Sequence, residues 1–171
     1  MTCLKVSFQT ELNSILLCFI VGVVPEDLLG ILRILEFKGF FGIEEYNVCL
    51  KSLGFSSYEG GDKPYPVPTS KSRKISKLKG KAVSQWVHIR NWPLVMKKLV
   101  KHSDEDDVIE LGLKLHELVE RLTAIEFFPY EVDLLREKLV QYLTLRKSIR
   151  EEFPSLMTNA KPKHHFLRWI Y

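Results

Sequence analysis

The sequence predicts a mainly α-helical domain, and three observations carry that prediction. Between residues 82 and 153, apolar residues recur at steps of three and four, the period of a helix face. Pro129 and Pro154 mark where two of these stretches end. At 171 residues the chain can bury about 70% of its unfolded surface, so a core needs no metal or disulfide. The architecture expected is a helical bundle built on a long antiparallel hairpin, with an N-terminal apolar segment that has the composition of a strand.

Composition narrows the class. Apolar residues make up 46% and charged residues 27%, which excludes collagen-like, low-complexity and wholly disordered chains. Lys and Arg number 25 against 21 Asp and Glu, a net charge of +4. Such a balance favours nucleic acid only where the basic residues cluster. Cys3, Cys18 and Cys49 form no CxxC pair, and an odd count suits small buried thiols in a reducing compartment. The chain is expected to be intracellular.

The first element is Ile15-Leu-Leu-Cys-Phe-Ile-Val-Gly-Val-Val24, ten residues without a polar side chain. A membrane-spanning helix needs about 20, so a membrane protein is not expected. Three readings fit: a buried strand or core segment, a weak signal or anchor, and an extension of the next helix. β-Branched Ile20, Val21, Val23 and Val24 favour the strand, placed over 12–24. A strand without a sheet exposes unpaired backbone, which makes self-association an expected partner mode.

A helix over 25–38 follows. Pro25 suits its first turn, Glu26 and Asp27 complement the positive end of its dipole, and Leu28, Leu29, Ile31, Leu32 and Leu35 are apolar. A second helix over 43–53 carries Ile43, Tyr46, Leu50 and Leu53 on one face and stops at Gly54. Residues 1–54 form the N-terminal portion.

Residues 55–81 read as a linker. Glu59-Gly-Gly-Asp-Lys-Pro-Tyr-Pro-Val-Pro68 holds three prolines and two glycines, which no helix interior or central strand accepts. Lys71-Ser-Arg-Lys-Ile-Ser-Lys-Leu-Lys-Gly-Lys81 then places six basic residues in eleven without an acid.

Residues 82–171 form the helical domain and a short basic, aromatic tail. The stretch 82–101 contains Trp86, Ile89, Trp92 and Met96, with Pro93 expected to kink or split it. The stretches 104–127 and 130–153 form the hairpin, because Pro129 leaves only a short connection between them. Leu111, Leu115 and Leu118 are expected to face Leu135, Leu139 and Tyr142. The acidic run Asp104–Asp107 caps the helix it opens.

Chemistry is sparse. The sequence holds no Gly-rich phosphate loop, no GxSxG and no HExxH. His164 and His165 are adjacent and point apart, so they do not suit one metal. His116 reads as a helix-side histidine, and Trp86, Trp92, Phe127 and Phe128 as core. No catalytic residue, metal, cofactor or small-molecule substrate is expected. The candidate site is the basic run, Lys71, Arg73, Lys74, Lys77, Lys79 and Lys81, whose cations would neutralise phosphates and release counterions. A nuclear-import tract and a plain solvated linker are the alternatives.

Several blocks, taken in order, resemble one family: Gly22-Val-Val-Pro-Glu-Asp-Leu-Leu29, Lys38-Gly-Phe-Phe-Gly-Ile43 with Tyr46-Asn47, Asp62-Lys-Pro64, Lys77-Leu-Lys-Gly-Lys-Ala82 with Ser84-Gln-Trp86, and Pro162-Lys-His-His-Phe-Leu167. They look like proteins related to transposases of CACTA-type DNA transposons, in the region after the catalytic segment. Where that family has a His-Asp pair and then a Glu beside the glycine, this chain has Leu17, Cys18 and Val21. A thiol and an alkyl chain cannot replace the oxygen ligands that Mg²⁺ requires. After Leu167 the chain reads Arg168-Trp-Ile-Tyr171 rather than the family's His-Tyr-Pro block. The resemblance therefore implies a truncated, non-catalytic remnant with weak, non-specific contact to DNA. A helical protein-interaction or assembly module is the alternative.

Overall fold

The computed structural model describes residues 19–55, 62–69, 77–100, 106–124 and 129–158, and all regular structure within them is helical. Phe19–Val23 is a single π-helical turn running directly into α1, Val24–Phe37. The strand expected up to Val24 is therefore not formed at 19–24, while 12–18 lie outside the described residues. The reason is pairing. No described strand is present to accept its backbone, whereas a helical turn satisfies its own N–H and C=O groups. The self-association argued from an unpaired strand loses its basis over these residues.

Helix α1 is buried nearly all round, from Val24 through Leu32 and again at Ile34 and Leu35. A helix without a wide polar stripe belongs in the centre of a core. Helix α2, Ile43–Lys51, buries Ile43, Tyr46 and Leu50. It ends before Leu53, which falls in the turn that follows.

Helix α3, Ala82–Leu99, runs through Pro93 as one helix, so the proline does not split it. Proline has no N–H to give the carbonyl four residues earlier. That carbonyl, Ile89 O, instead lies 3.1 Å from His116 Nδ1 on the next helix. A carbonyl only accepts, so Nδ1 carries the proton.

Helices α4, Asp107–Leu122, and α5, Pro129–Glu152, pack on one another as the expected hairpin. Leu111, Leu115 and Leu118 of α4 are buried, as are Leu135, Leu139 and Tyr142 of α5. The acidic run supplies the cap: Asp106 Oδ1 accepts from Val108 N–H at 2.9 Å and Ile109 N–H at 3.3 Å. Asp106 also pairs with Lys38 Nζ at 2.6 Å, tying the end of α1 to the start of α4.

Helix α4 also packs against α3 and α1. Its approach to α3 depends on Gly112, where an added Cβ would lie 2.3 Å from Trp92 Cη2. The indole of Trp92 is fully buried on that glycine, and Trp86 is half-buried beneath the Arg90 guanidinium, 4.9 Å from its ring. After α5 the chain folds back over α1: Leu156 O and Met157 close on Gly30, and the Phe153 ring meets Phe37 edge-on. No described helix is long and apolar enough to cross a membrane.

Candidate functional site

The stretch expected to be an exposed linker is largely exposed where it is described, but it is anchored to the core at two points. Val67 and Leu78 are buried in the core. The amide of Asn47 on α2 grips Val67 from both sides, donating to its carbonyl at 2.9 Å and accepting from its N–H at 2.8 Å. Leu78 N–H donates to Pro25 O at 2.9 Å, on the first turn of α1. The segments form no helix or strand, in line with their Pro/Gly content, yet burial of two apolar side chains and pairing of their backbone tie them to the core.

The lysines around Leu78 point outward. Lys77, Lys79 and Lys81 are exposed, and Lys81 is the N-cap of α3. Lys71, Arg73 and Lys74 lie outside the described residues. Gly80 joins the exposed lysines at φ +133°, a conformation that side-chain-bearing residues rarely adopt, and a Cβ there would stand 2.9 Å from Ser84 Oγ and 3.0 Å from Tyr65 Cδ2. Ser84 Oγ donates to Lys63 O at 3.0 Å, and Gln85 Nε2 donates to Lys79 O at 2.8 Å.

Segments 62–69 and 77–81 are thus held beside each other at the N-terminus of α3. That terminus has no side-chain cap and no acid in its first turn, so its partial positive charge adds to the lysines. Lys63 is exposed, Tyr65 is 53% exposed, and the nearby Asp62 is half-buried. The result is a cationic edge with a standing aromatic ring.

Two buried polar clusters lie elsewhere. Arg146, 3% exposed, donates from Nε to Asp27 Oδ2 at 2.6 Å and from a terminal nitrogen to Asp27 Oδ1 at 2.8 Å. Tyr142 OH donates to Asp27 Oδ2, and Arg146 also reaches Thr158 O at 3.2 Å. Burial and then the Asp27 charge push the Tyr142 hydroxyl well above its ordinary pKa. Burial alone would lower the pKa of Arg146, but the hydrogen bonds and charge of Asp27 raise it overall. Both groups keep their protons and act as donors.

In the second cluster, Tyr46 OH and His88 Nε2 are 2.9 Å apart and fully enclosed. Burial lowers the His88 pKa to about 4 and raises that of Tyr46, so the pair is neutral at pH 7. The side chains of both clusters are enclosed and engage internal partners. They hold helices together.

Sequence reading did not single out Asp27, Tyr142 and Arg146 as a group, although a signal was present. Leu135, Leu139, Tyr142, Arg146 and Ile149 share one stripe of α5, all buried. A lone arginine on an apolar stripe calls for a buried acid, and Asp27 lies on a helix buried nearly all round.

No group of three or more potential metal ligands comes together among the described residues. His102, His164 and His165 lie outside them, as do Phe127, Phe128, Asp104, Cys3 and Cys18. Cys49 is a half-buried free thiol. An apolar groove of about 470 Å³ lies between the end of α2 and Lys63–Pro66, lined by Val48, Leu50, Phe55, Pro64 and Pro66. No family profile, curated protein or solved structure matches this chain.

Proposed function

We propose that this chain is a non-catalytic, transposase-derived domain that binds nucleic acid weakly and without sequence preference through its basic run. The anchoring of Leu78 carries this reading. A buried side chain and a backbone hydrogen bond to Pro25 pin the run, while Lys77 and Lys79 on either side stay in solvent. Fixed cations lose less freedom on meeting phosphates than cations on a free tether. The origin of the domain rests on the order of sequence blocks quoted above. Residues of those blocks also meet: Pro25 with Leu78, Lys63 with Ser84, and Lys79 with Gln85.

The test is the salt dependence of DNA affinity for the full chain. Each phosphate neutralised on a duplex should contribute about 0.9 to the log–log slope. Replacing Lys77, Lys79 and Lys81 with Gln should flatten the slope, and absence of binding at low salt would overturn the reading. Mg²⁺-dependent strand cleavage lost on Asp106→Asn or Asp107→Asn would overturn its non-catalytic part. If the run also directs nuclear import, the same triple variant should shift a fluorescent fusion toward the cytoplasm.

The second reading, a protein-interaction or assembly module, draws on the groove beside Val48, which is 70% exposed. Val48→Asp would then reduce an oligomer seen by sedimentation without changing DNA affinity.

A further inference from the structure

We infer that the edge carrying Lys63, Tyr65, Lys79 and Lys81 takes single-stranded nucleic acid, with an unpaired base stacked on the Tyr65 ring and the adjoining phosphates against the lysines. The inference rests on the nucleic-acid reading above and sharpens its ligand.

Tyr65 is the observation that carries it. The ring is 53% exposed, yet the backbone beneath it is stiff and tied at both ends. Pro64 and Pro66 fix φ on either side of Tyr65 and disfavour the helical region at Lys63 and Tyr65. Upstream, Lys63 O accepts from Ser84 Oγ at 3.0 Å; downstream, the Asn47 amide closes both hydrogen bonds of Val67. An aromatic ring standing in water on so constrained a segment is preorganised to meet a flat partner.

Its surroundings identify that partner as anionic. Gly80 brings the Lys79–Lys81 turn against the ring edge, where a Cβ would be 3.0 Å from Tyr65 Cδ2. Lys63, two residues before the ring, and Lys79 and Lys81, on either side of Gly80, are exposed beside the acid-free first turn of α3. A stacking face within a cationic groove is the arrangement by which single strands are held without sequence readout. A duplex keeps its base faces stacked internally and would offer this edge only phosphates. The ring then contributes to one ligand form and not the other.

The test compares labelled oligo-dT, oligo-rU and a DNA duplex of equal length, at low salt, with the intact chain. Tyr65→Ala should weaken both single-stranded probes by about fivefold or more, while Tyr65→Phe retains wild-type binding. Duplex affinity should be the same in all three proteins. Replacing Lys63, Lys79 and Lys81 with Gln should weaken every probe, which separates charge from stacking. Loss confined to one single-stranded probe would assign DNA or RNA as the source. An equal effect of Tyr65→Ala on single strand and duplex, or none on either, would overturn the inference and leave the nucleic-acid reading standing. Failure of all three probes to bind wild type would overturn both.

Discussion

Arg146 meets Asp27 side-on, with two parallel hydrogen bonds of 2.6 and 2.8 Å, and so joins the first turn of α1 to the C-terminal half of α5. Both side chains are almost fully enclosed, at 4% and 0% exposure. Removing the guanidinium takes two charge-assisted hydrogen bonds from a buried carboxylate, so Arg146→Met should destabilise the fold by about 3–5 kcal/mol. In the double variant with Asp27→Leu, much of that loss should return, as a denaturant-melt cycle will show. A double variant no better than Arg146→Met would mean that the pair does not act as a unit.

The pH dependence of stability should carry the signature of His88. Its folded pKa of about 4 lies below the ordinary value of 6.5, so between those values the unfolded chain binds the extra proton. Stability then rises with pH across that window: the contribution is complete above about 6.5 and is lost as pH falls toward 4. The full span is on the order of 3 kcal/mol. Unfolding free energies of His88→Gln, measured across the window, should lose this slope. An unchanged slope would place the acid sensitivity elsewhere.

Gly112→Ala tests the contact between α3 and α4. Alanine favours a helix over glycine by about 1 kcal/mol, but its Cβ would intrude on the Trp92 ring, 2.3 Å from Cη2. The steric effect should win, with a net loss of about 1–3 kcal/mol. Adding Trp92→Phe should reduce the cost of the alanine. A thermally stabilised Gly112→Ala variant would show that the helices part without penalty.

His116 should be worth more than an ordinary surface-helix histidine, because it serves the Ile89 carbonyl that Pro93 leaves without a donor. His116→Ala should cost about 1–3 kcal/mol. In a Pro93→Ala background, where a backbone N–H is restored at residue 93, the same change should cost less. Equal costs in both backgrounds, read from a double-mutant cycle, would sever the link between the two residues.

The hydrophobic stripe of α4 makes the plainest prediction. Leu115 is fully buried between the helices it joins, so Leu115→Ala should cost about 2–5 kcal/mol. A change below about 0.5 kcal/mol would be the size of a surface substitution and would remove Leu115 from the core.

The helices were legible because periodicity is local: Leu111, Leu115 and Leu118 recur at helical spacing whatever surrounds them. Asp106 as a cap and the hairpin at Pro129 follow from the same short-range rules. The basic run was equally plain, since charge clustering needs no partner to be counted. Tertiary packing decided the rest. Residues 19–23 took a helical turn rather than a strand because strand pairing is a non-local requirement that no described segment meets. Pro93 stayed inside its helix because a histidine distant in sequence answers the carbonyl it leaves open. Tyr65 met the Lys79–Lys81 segment only when Asn47, Ser84 and Pro25 pinned two irregular segments. Arg146 found Asp27 across 119 residues. Local patterning determines which elements form, and the need to satisfy every buried polar group determines which of them meet.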